Sequence, residues 1–342
     1  MCPGSPELRE INLSLMLTAD RVRQGIYRSE AIRRFAQWLD VAPHPLTACE
    51  ISSGYIAAAR WSRAGAAIES LAVEPLPPGV IKPSAVEANL SNPAEVRSAI
   101  EKVFARVHAK TRDVALFLPD PVIRVFVLHF DVFPRAAHEA LPLLRWRLKK
   151  SVPFEADETV ISFMRQAPRE EGVDVVTALA RLRVVREYEQ LLESVGVSPG
   201  VVMSSALAAL PLLNDRKPAL LARVAGRAMT AVIVREGILC GYRCVDLPAE
   251  ETEITPQALL DEVYPLAAYY QDSWREGIAM VGLAGLGGRI EEFREPLERE
   301  LHCPVGGLLS AAASEGHISS ELRPLVEREL DALVGWTLYR GS

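Results

Sequence analysis

Residues Val114 to Met164 read VALFLPDPVIRVFVLHFDVFPRAAHEALPLLRWRLKKSVPFEADETVISFM, and the punctuation of this stretch decides how the chain is organised. Val122 to Phe130 is dominated by Val, Ile, Leu and Phe, the composition of a largely buried strand. Pro119, Pro121 and Pro134 mark its limits, because proline cannot donate to a sheet ladder. Ala136 to Lys150 then reads as a helix, with Leu141, Leu144, Trp146 and Leu148 available for packing and Arg145, Arg147, Lys149 and Lys150 crowded at its end. Cations complement the negative end of a helix dipole, so the cluster reads either as a solvated helix terminus or as a binding surface.

Outward from this segment, strands and helices alternate. Leu46 to Ile51 and Tyr55 to Ser62 predict a hairpin, Ala94 to His108 a helix and Asp113 to Leu118 a strand. Val173 to Ala180 predicts a strand, and Val184 to Val195 a helix stopped by Gly196, which suits a left-handed cap. Val197 to Met203 and Ser204 to Leu213 repeat strand and helix. Polar Asn214 to Pro218 suits a crossing between lobes. Beyond it, Ala219 to Val224, Met229 to Arg235 and Gly237 to Val245 predict a meander turning at Glu236-Gly237. Ile254 to Trp274 follows as a helix, Ile278 to Leu283 as a strand and Ile290 to Leu301 as a helix after a Gly-rich turn. This is an α/β chain.

Residues 1 to 43 read as an N-terminal extension, helical from Asp20 to Asp40 and closed by Pro43-His44-Pro45. Its five arginines between Arg21 and Arg34 face only Glu30. That pattern fits a helix on an anionic membrane surface or one packed on the protein's own body.

At 342 residues and 49% hydrophobic content the chain suffices for two domains with substantial cores. A net charge of −6 argues against nonspecific nucleic-acid binding. Cys2, Cys49, Cys240, Cys244 and Cys303 are odd in number and contain no Cys-x-x-Cys, so neither a disulfide framework nor a zinc ribbon is indicated. No apolar run approaches the roughly 18 residues of a membrane span, and the N-terminus lacks an export signal. A reducing, cytoplasmic compartment is expected. P-loop, His-Glu-x-x-His and Gly-x-Ser-x-Gly patterns are absent. The six histidines show no metal spacing, and His129, on an apolar strand, reads as a core residue. Cys240 and Cys244, four apart on a predicted strand, share a face by alternation.

Leu118-Pro119-Asp120 ending a strand, the apolar strand running to Phe133-Pro134, the basic helix end Arg145 to Lys150, and Val152-Pro153-Phe154 followed by Glu155, Asp157 and Glu158 together resemble a segment peculiar to one branch of the actin-like superfamily. That branch is the PilM family, cytoplasmic assembly proteins of type IV pili. The resemblance implies an α/β, actin-like (ribonuclease H-like) two-lobed fold with a PilM/FtsA-type inserted subdomain. Residues 44–217 would form the first lobe, with the insert at about 119–172, and residues 218–332 the second. Residues 333–342 resemble the small-residue segment that returns to the first lobe.

The same resemblance implies adaptor work at the inner face of the cytoplasmic membrane. The partner would be the N-terminal tail of a PilN-like protein within a PilN/PilO-like subcomplex, with no nucleic acid and with self-association left open. Candidate tail-binding residues are Leu118, Pro119, Arg124, Arg145, Trp146, Lys149, Pro153 and Phe154, Trp and Arg being favoured anchors. Glu10 to Leu15 resembles the Ile-Asn-Leu-Leu core of such tails, so the extension either frays or folds back to compete.

In the family, two hairpins opening on Asp-x-Gly grip phosphate and magnesium. Here the first hairpin is Glu50, Ser52, Ser53 and Gly54, with Glu for Asp, Ser52 for Gly and Ala57 where Lys is common. The second is Ala222-Arg223-Val224-Ala225-Gly226-Arg227, in which Arg223 inverts the charge and Ala225 adds a methyl. An adenosine-side loop survives as Gly282, Gly285, Gly287 and Gly288. A vestigial cleft with no cofactor is expected, ATP with magnesium being the alternative the resemblance implies. An active ATPase or small-molecule kinase, and a GspL-like component of type II secretion, are the competing functions. The stop at Ser342, with no membrane span after it, favours the pilus adaptor.

Overall fold

Two five-stranded sheets share one connectivity, and a three-stranded sheet is inserted into the first. The first strands of the two larger sheets face each other across the interlobe cleft, where Arg223 meets Glu50 at 2.8 Å. The computed structural model describes residues 45–62, 67–108, 113–152, 154, 158–168, 172–247, 253–314, 316 and 318–340. The expected extension over 1–43, together with Cys2, His44, Pro153 and His317, lies outside them.

The first lobe begins with β1 (Thr47–Ile51), β2 (Tyr55–Trp61) and β3 (Ile68–Pro75), an antiparallel meander. Helix α1 (Pro93–Val107), capped by the Asn92 side chain, packs behind it and leads to β4 (Asp113–Leu118), parallel to β1. The insert follows as β5 (Arg124–Phe130), α2 (Ala137–Leu148), β6 (Thr159–Pro168) and β7 (Val173–Arg181). Helix α3 (Leu182–Glu193) and β8 (Ser198–Ser204), parallel to β4, complete the sheet in the order β3-β2-β1-β4-β8. Gly196 turns the chain between them at φ 77°. Helix α4 (Ser205–Ala209) runs into a single 3-10 turn at Leu210–Leu212, so the expected helix to Leu213 is shorter; Pro211 cannot donate within it.

The second lobe repeats the plan. Strands β9 (Ala219–Ala225), β10 (Ala228–Arg235) and β11 (Ile238–Asp246) form the meander. Helix α5 (Pro256–Trp274), capped by Thr255, leads to β12 (Met280–Ala284), parallel to β9; α6 (Ile290–Leu301) leads to β13 (Val305–Gly307), giving β11-β10-β9-β12-β13. Helices α7 (Leu308–Ser314), α8 (Arg323–Val326) and α9 (Asp331–Arg340) follow. Helix α9 returns to the first lobe: a Cβ on Gly335 would lie 2.1 Å from the Ala208 carbonyl oxygen, so glycine sets the close crossing with α4. Tyr339 donates to the Leu207 carbonyl at 2.9 Å, and Trp336 meets Phe117 edge-on at 5.6 Å.

The insert sheet runs β5-β7-β6, all antiparallel. Its middle strand is β7, so the insert extends to Arg181 rather than ending near 172; an apolar run such as Val173 to Ala180 does not reveal which sheet it joins. Asp120–Val122 is a 3-10 turn, and β5 starts only at Arg124. Alternation along β7 gives the sheet two faces. Val175 packs with Phe133, Ala140 and Leu144 under α2, whereas Val176 and Ala178 join the first-lobe core. On β6, the Gln166 amide donates to the Leu239 carbonyl at 2.9 Å and accepts from the Leu239 N–H at 2.7 Å, tying the insert to the second lobe.

Candidate functional site in the interlobe cleft

Because the sheets are duplicated, β1 and β9 place corresponding residues opposite each other across the cleft. Glu50 sits beside Phe117 of β4 and Ala57 of β2, and Arg223 beside Ala284 of β12 and Thr230 of β10. Arg223 is the lone charge in the run ALLARVA, and it is only 4% exposed. A buried guanidinium needs carboxylates, since taking it out of water unpaired is prohibitively costly. It finds three. Nη2 donates to Glu50 Oε1 at 2.8 Å, Nη1 to Asp120 Oδ2 at 3.3 Å, and Nε to Asp331 Oδ2 at 2.7 Å, with a second contact from Nη2 to Asp331 Oδ1 at 3.2 Å.

Each carboxylate comes from a different part of the chain: Glu50 from β1, Asp120 from the turn leading to the insert, Asp331 from the first turn of α9. All three are buried. Asp120 is satisfied further by the Thr230 hydroxyl at 3.1 Å and the Ala206 N–H at 2.8 Å. Burial works against the charge on Arg223, but Asp331, Asp120 and Glu50 outweigh it and hold the guanidinium charged well above its ordinary range. Burial pushes the Glu50 carboxyl up and Asp331 adds to the effect, while Arg223 and the Ser205 and Tyr55 hydroxyls oppose it. Burial likewise raises Tyr55 and Tyr242 beside the cluster.

The hairpin tips meet directly. Gly226 has φ 61°, and a Cβ there would lie 2.3 Å from Ser53 Oγ, so the second turn abuts the first. Ser52 and Ser53 are half-buried and Gly54 is exposed at the first tip. Ala57 is fully buried in β2. In the Gly-rich loop, Gly285 has φ 74° and a Cβ would fall 1.8 Å from the Val224 carbonyl oxygen, so chain packing by itself demands glycine there. Gly282 is hemmed in by Leu308 and Leu213 at 3.0 and 3.1 Å, whereas nothing lies within 4 Å of a Cβ at Gly288. Gly287 opens a 3-10 turn with φ 57°.

Magnesium requires near-octahedral oxygen ligands at about 2.0–2.1 Å. Here Arg223 stands between the carboxylates that would supply them, and a cation would have to displace it. Among the described residues, no group of three or more His, Cys, Asp or Glu is placed to hold a metal ion. These side chains therefore do not fit a magnesium nucleotide of the kind the hairpins imply in the resembled family. The arrangement is an ion-pair knot joining both lobes to α9, in which Glu50 Oε2 is buried without a hydrogen-bond partner among the described residues.

The candidate partner residues divide by burial. Leu118 is fully buried in β4, an interior strand between β1 and β8, and Pro119 is buried beside it, so neither offers surface to a partner. Arg124, Arg145 and Phe154 are half-buried, and the Nε atoms of both arginines are shielded from solvent with no hydrogen-bond partner among the described residues. Trp146 is 72% exposed, not packed as its apolar character suggests, and Lys149 is exposed with it.

Two further expectations change. His129 is exposed at the surface of β5, where Nδ1 pairs with Asp174 Oδ1 at 2.9 Å, so it is not a core histidine. Cys240 packs in the second-lobe core, whereas Cys244 lies toward Asp120 and Thr230, because an irregularity in the β10–β11 register breaks the alternation between them. Sequence reasoning missed Asp331, Thr230, Ser205 and Tyr55, and it treated Asp120 only as strand punctuation. The signal available was Arg223 itself, a charge in an apolar strand that demands acidic partners elsewhere.

No family model and no curated protein matches the chain. Solved structures do match. A chain of a PilM–PilN type IV pilus biogenesis complex is 19% identical, aligns over 88% of this chain and 100% of its own length, and has a TM-score of 0.66. A Bacteroides thetaiotaomicron protein with an actin-like ATPase fold is 10% identical over 77% of this chain and 91% of its own, with a TM-score of 0.46. The cytoplasmic domain of EpsL, an inner membrane component of the Vibrio cholerae type II secretion system, is 15% identical over 81% and 97%, with a TM-score of 0.45. The fold is actin-like.

Proposed function

We propose that this protein is a PilM-like adaptor that holds the cytoplasmic N-terminal tail of a PilN-like membrane protein and turns over no nucleotide. The observation that carries the adaptor reading is Arg223, whose guanidinium ties Glu50, Asp120 and Asp331 where an active relative would need acidic residues free for magnesium. With that cleft filled, binding is the work left to the fold. The partner is suggested by the likeness to a chain solved as part of a PilM–PilN complex, which extends over 88% of this protein.

On this reading the inserted subdomain receives the tail. Arg124 and Arg145 are half-buried on the insert and keep accessible side-chain surface, and arginine is a favoured anchor at interfaces. The accessible part of each guanidinium would donate to backbone carbonyls of an extended peptide, and half-buried Phe154 would supply an apolar contact. The test is calorimetry of the full chain with a synthetic tail bearing an Ile-Asn-Leu-Leu-Pro type sequence. Saturable binding, weakened at least tenfold by Arg145→Ala or Phe154→Ala in folded protein, is expected. Absence of binding, or binding indifferent to both variants, contradicts the reading.

A further inference from the structure

We propose that the outward face of α2 docks on an anionic lipid surface. The helix is the outermost layer of the insert: it buries Ala140, Leu144 and Leu148 toward the sheet, and the sheet's other face is turned to the first-lobe core. Everything opposite Leu144 therefore faces solvent. There Trp146 is 72% exposed, with Pro142, Arg147, Lys149 and Lys150 exposed around it. Val132, in the loop before the helix, is 84% exposed. Large apolar side chains this open to water are few among the described residues, and two of them fall in this short span.

Charge selects the occupant. Apart from Arg145, assigned above to the tail, four Lys and Arg residues lie between Val132 and Ser151 against the single carboxylate of Glu139, in a chain whose net charge is −6. Among the described residues, Arg135, Arg147, Lys149 and Lys150 have no ion-pair partner, and Glu158, the next described carboxylate along the chain, is engaged by Arg181 at 2.7 Å. An anionic bilayer repels the acidic remainder of the molecule and attracts this one face, which orients the protein. The surface is also the right shape: a convex helix face does not enclose a peptide, but it lays flat on headgroups. Indole rings settle at that depth, and Lys and Arg stems keep their charges among the phosphates.

The attachment is peripheral, since no described helix is long and apolar enough to cross a membrane. Each basic residue at an anionic surface strengthens binding about fivefold, so Lys149→Glu with Lys150→Glu should lower vesicle affinity by on the order of 25-fold or more.

The lipid face extends the adaptor reading without using Arg124 or Phe154, so the two fail separately. The experiment is co-sedimentation of the full chain with phosphatidylglycerol/phosphatidylcholine vesicles and with phosphatidylcholine vesicles alone, tail affinity being measured on the same preparations. Expected are binding to the anionic vesicles only, loss of that binding in the double Lys→Glu variant and in raised salt, and weakening by Trp146→Ala. Sedimentation equal on both vesicle types, none on either, or wild-type sedimentation by the folded Lys→Glu variant would overturn the proposal. So would a Lys→Glu variant that loses only tail binding, which would make the face an acidic-peptide site.

Discussion

Arg223 Nη2 lies 2.8 Å from Glu50 Oε1, although 173 positions separate the two residues in the chain. They occupy corresponding places on the first strands of two sheets with the same connectivity. One of the two corresponding positions carries a cation and the other a carboxylate. The pair crosses the cleft, and Asp331 and Asp120 extend it to α9 and to the turn before the insert.

Removing the cation alone leaves three buried carboxylates facing one another. Breaking a buried ion pair typically costs about 3–5 kcal/mol, so Arg223→Met should lower the thermal midpoint by on the order of 10 °C. Adding Glu50→Gln to that variant should recover part of the loss, because it relieves the repulsion. Calorimetry of the two single variants and the double measures the coupling; independent, additive losses would show that the pair does not act as a unit.

The pH dependence follows from Glu50. Its folded pKa is raised above the ordinary 4.5, chiefly by burial and against the pull of Arg223, so between 4.5 and the folded value the folded chain keeps a proton that the unfolded chain has released. Stability from this group is fully present below the unfolded value and declines as pH rises from about 4.5 through the folded value. Glu50→Gln keeps an acceptor for Arg223 and removes the titration. The midpoint of the variant minus that of the wild type should therefore increase between pH 4 and pH 8. A difference that is flat or falls with pH refutes the assignment.

The glycine-rich loop separates packing from ligand binding. Gly285→Ala places a methyl against the Val224 carbonyl oxygen at positive φ, and such a substitution should be strongly destabilising. Gly288→Ala meets nothing within 4 Å and should leave the midpoint within about a degree, as open surface changes usually do. Equal losses in thermal scans of the two would mean that the loop is constrained by something other than β9.

Much of this architecture was legible in the amino-acid sequence, because hairpins, Gly turns and strand-helix alternation are local signals. The actin-like plan is what the family resemblance carried by Leu118-Pro119-Asp120 and the basic helix end implies. Less local features were not legible. β6 carries buried Ser162 and Gln166, which blur its alternation, and β7 reads as an ordinary buried strand whichever sheet it joins. The departures at Glu50 and Arg223 were visible one by one, but their pairing depends on a contact across two lobes. Asp331 gave no local hint of its role, since an acid in the first turn of a helix is already explained by the helix dipole.

The most direct measurement is the thermal midpoint of the full chain with and without millimolar ATP and magnesium. A ligand that binds the native state at micromolar affinity stabilises by mass action, by about 4 kcal/mol at a thousandfold excess over its dissociation constant. With Arg223 filling the cleft, no shift is expected from ATP, magnesium or both together. A magnesium-dependent rise of several degrees would contradict it, because it would require the guanidinium to yield its three carboxylates to a cation.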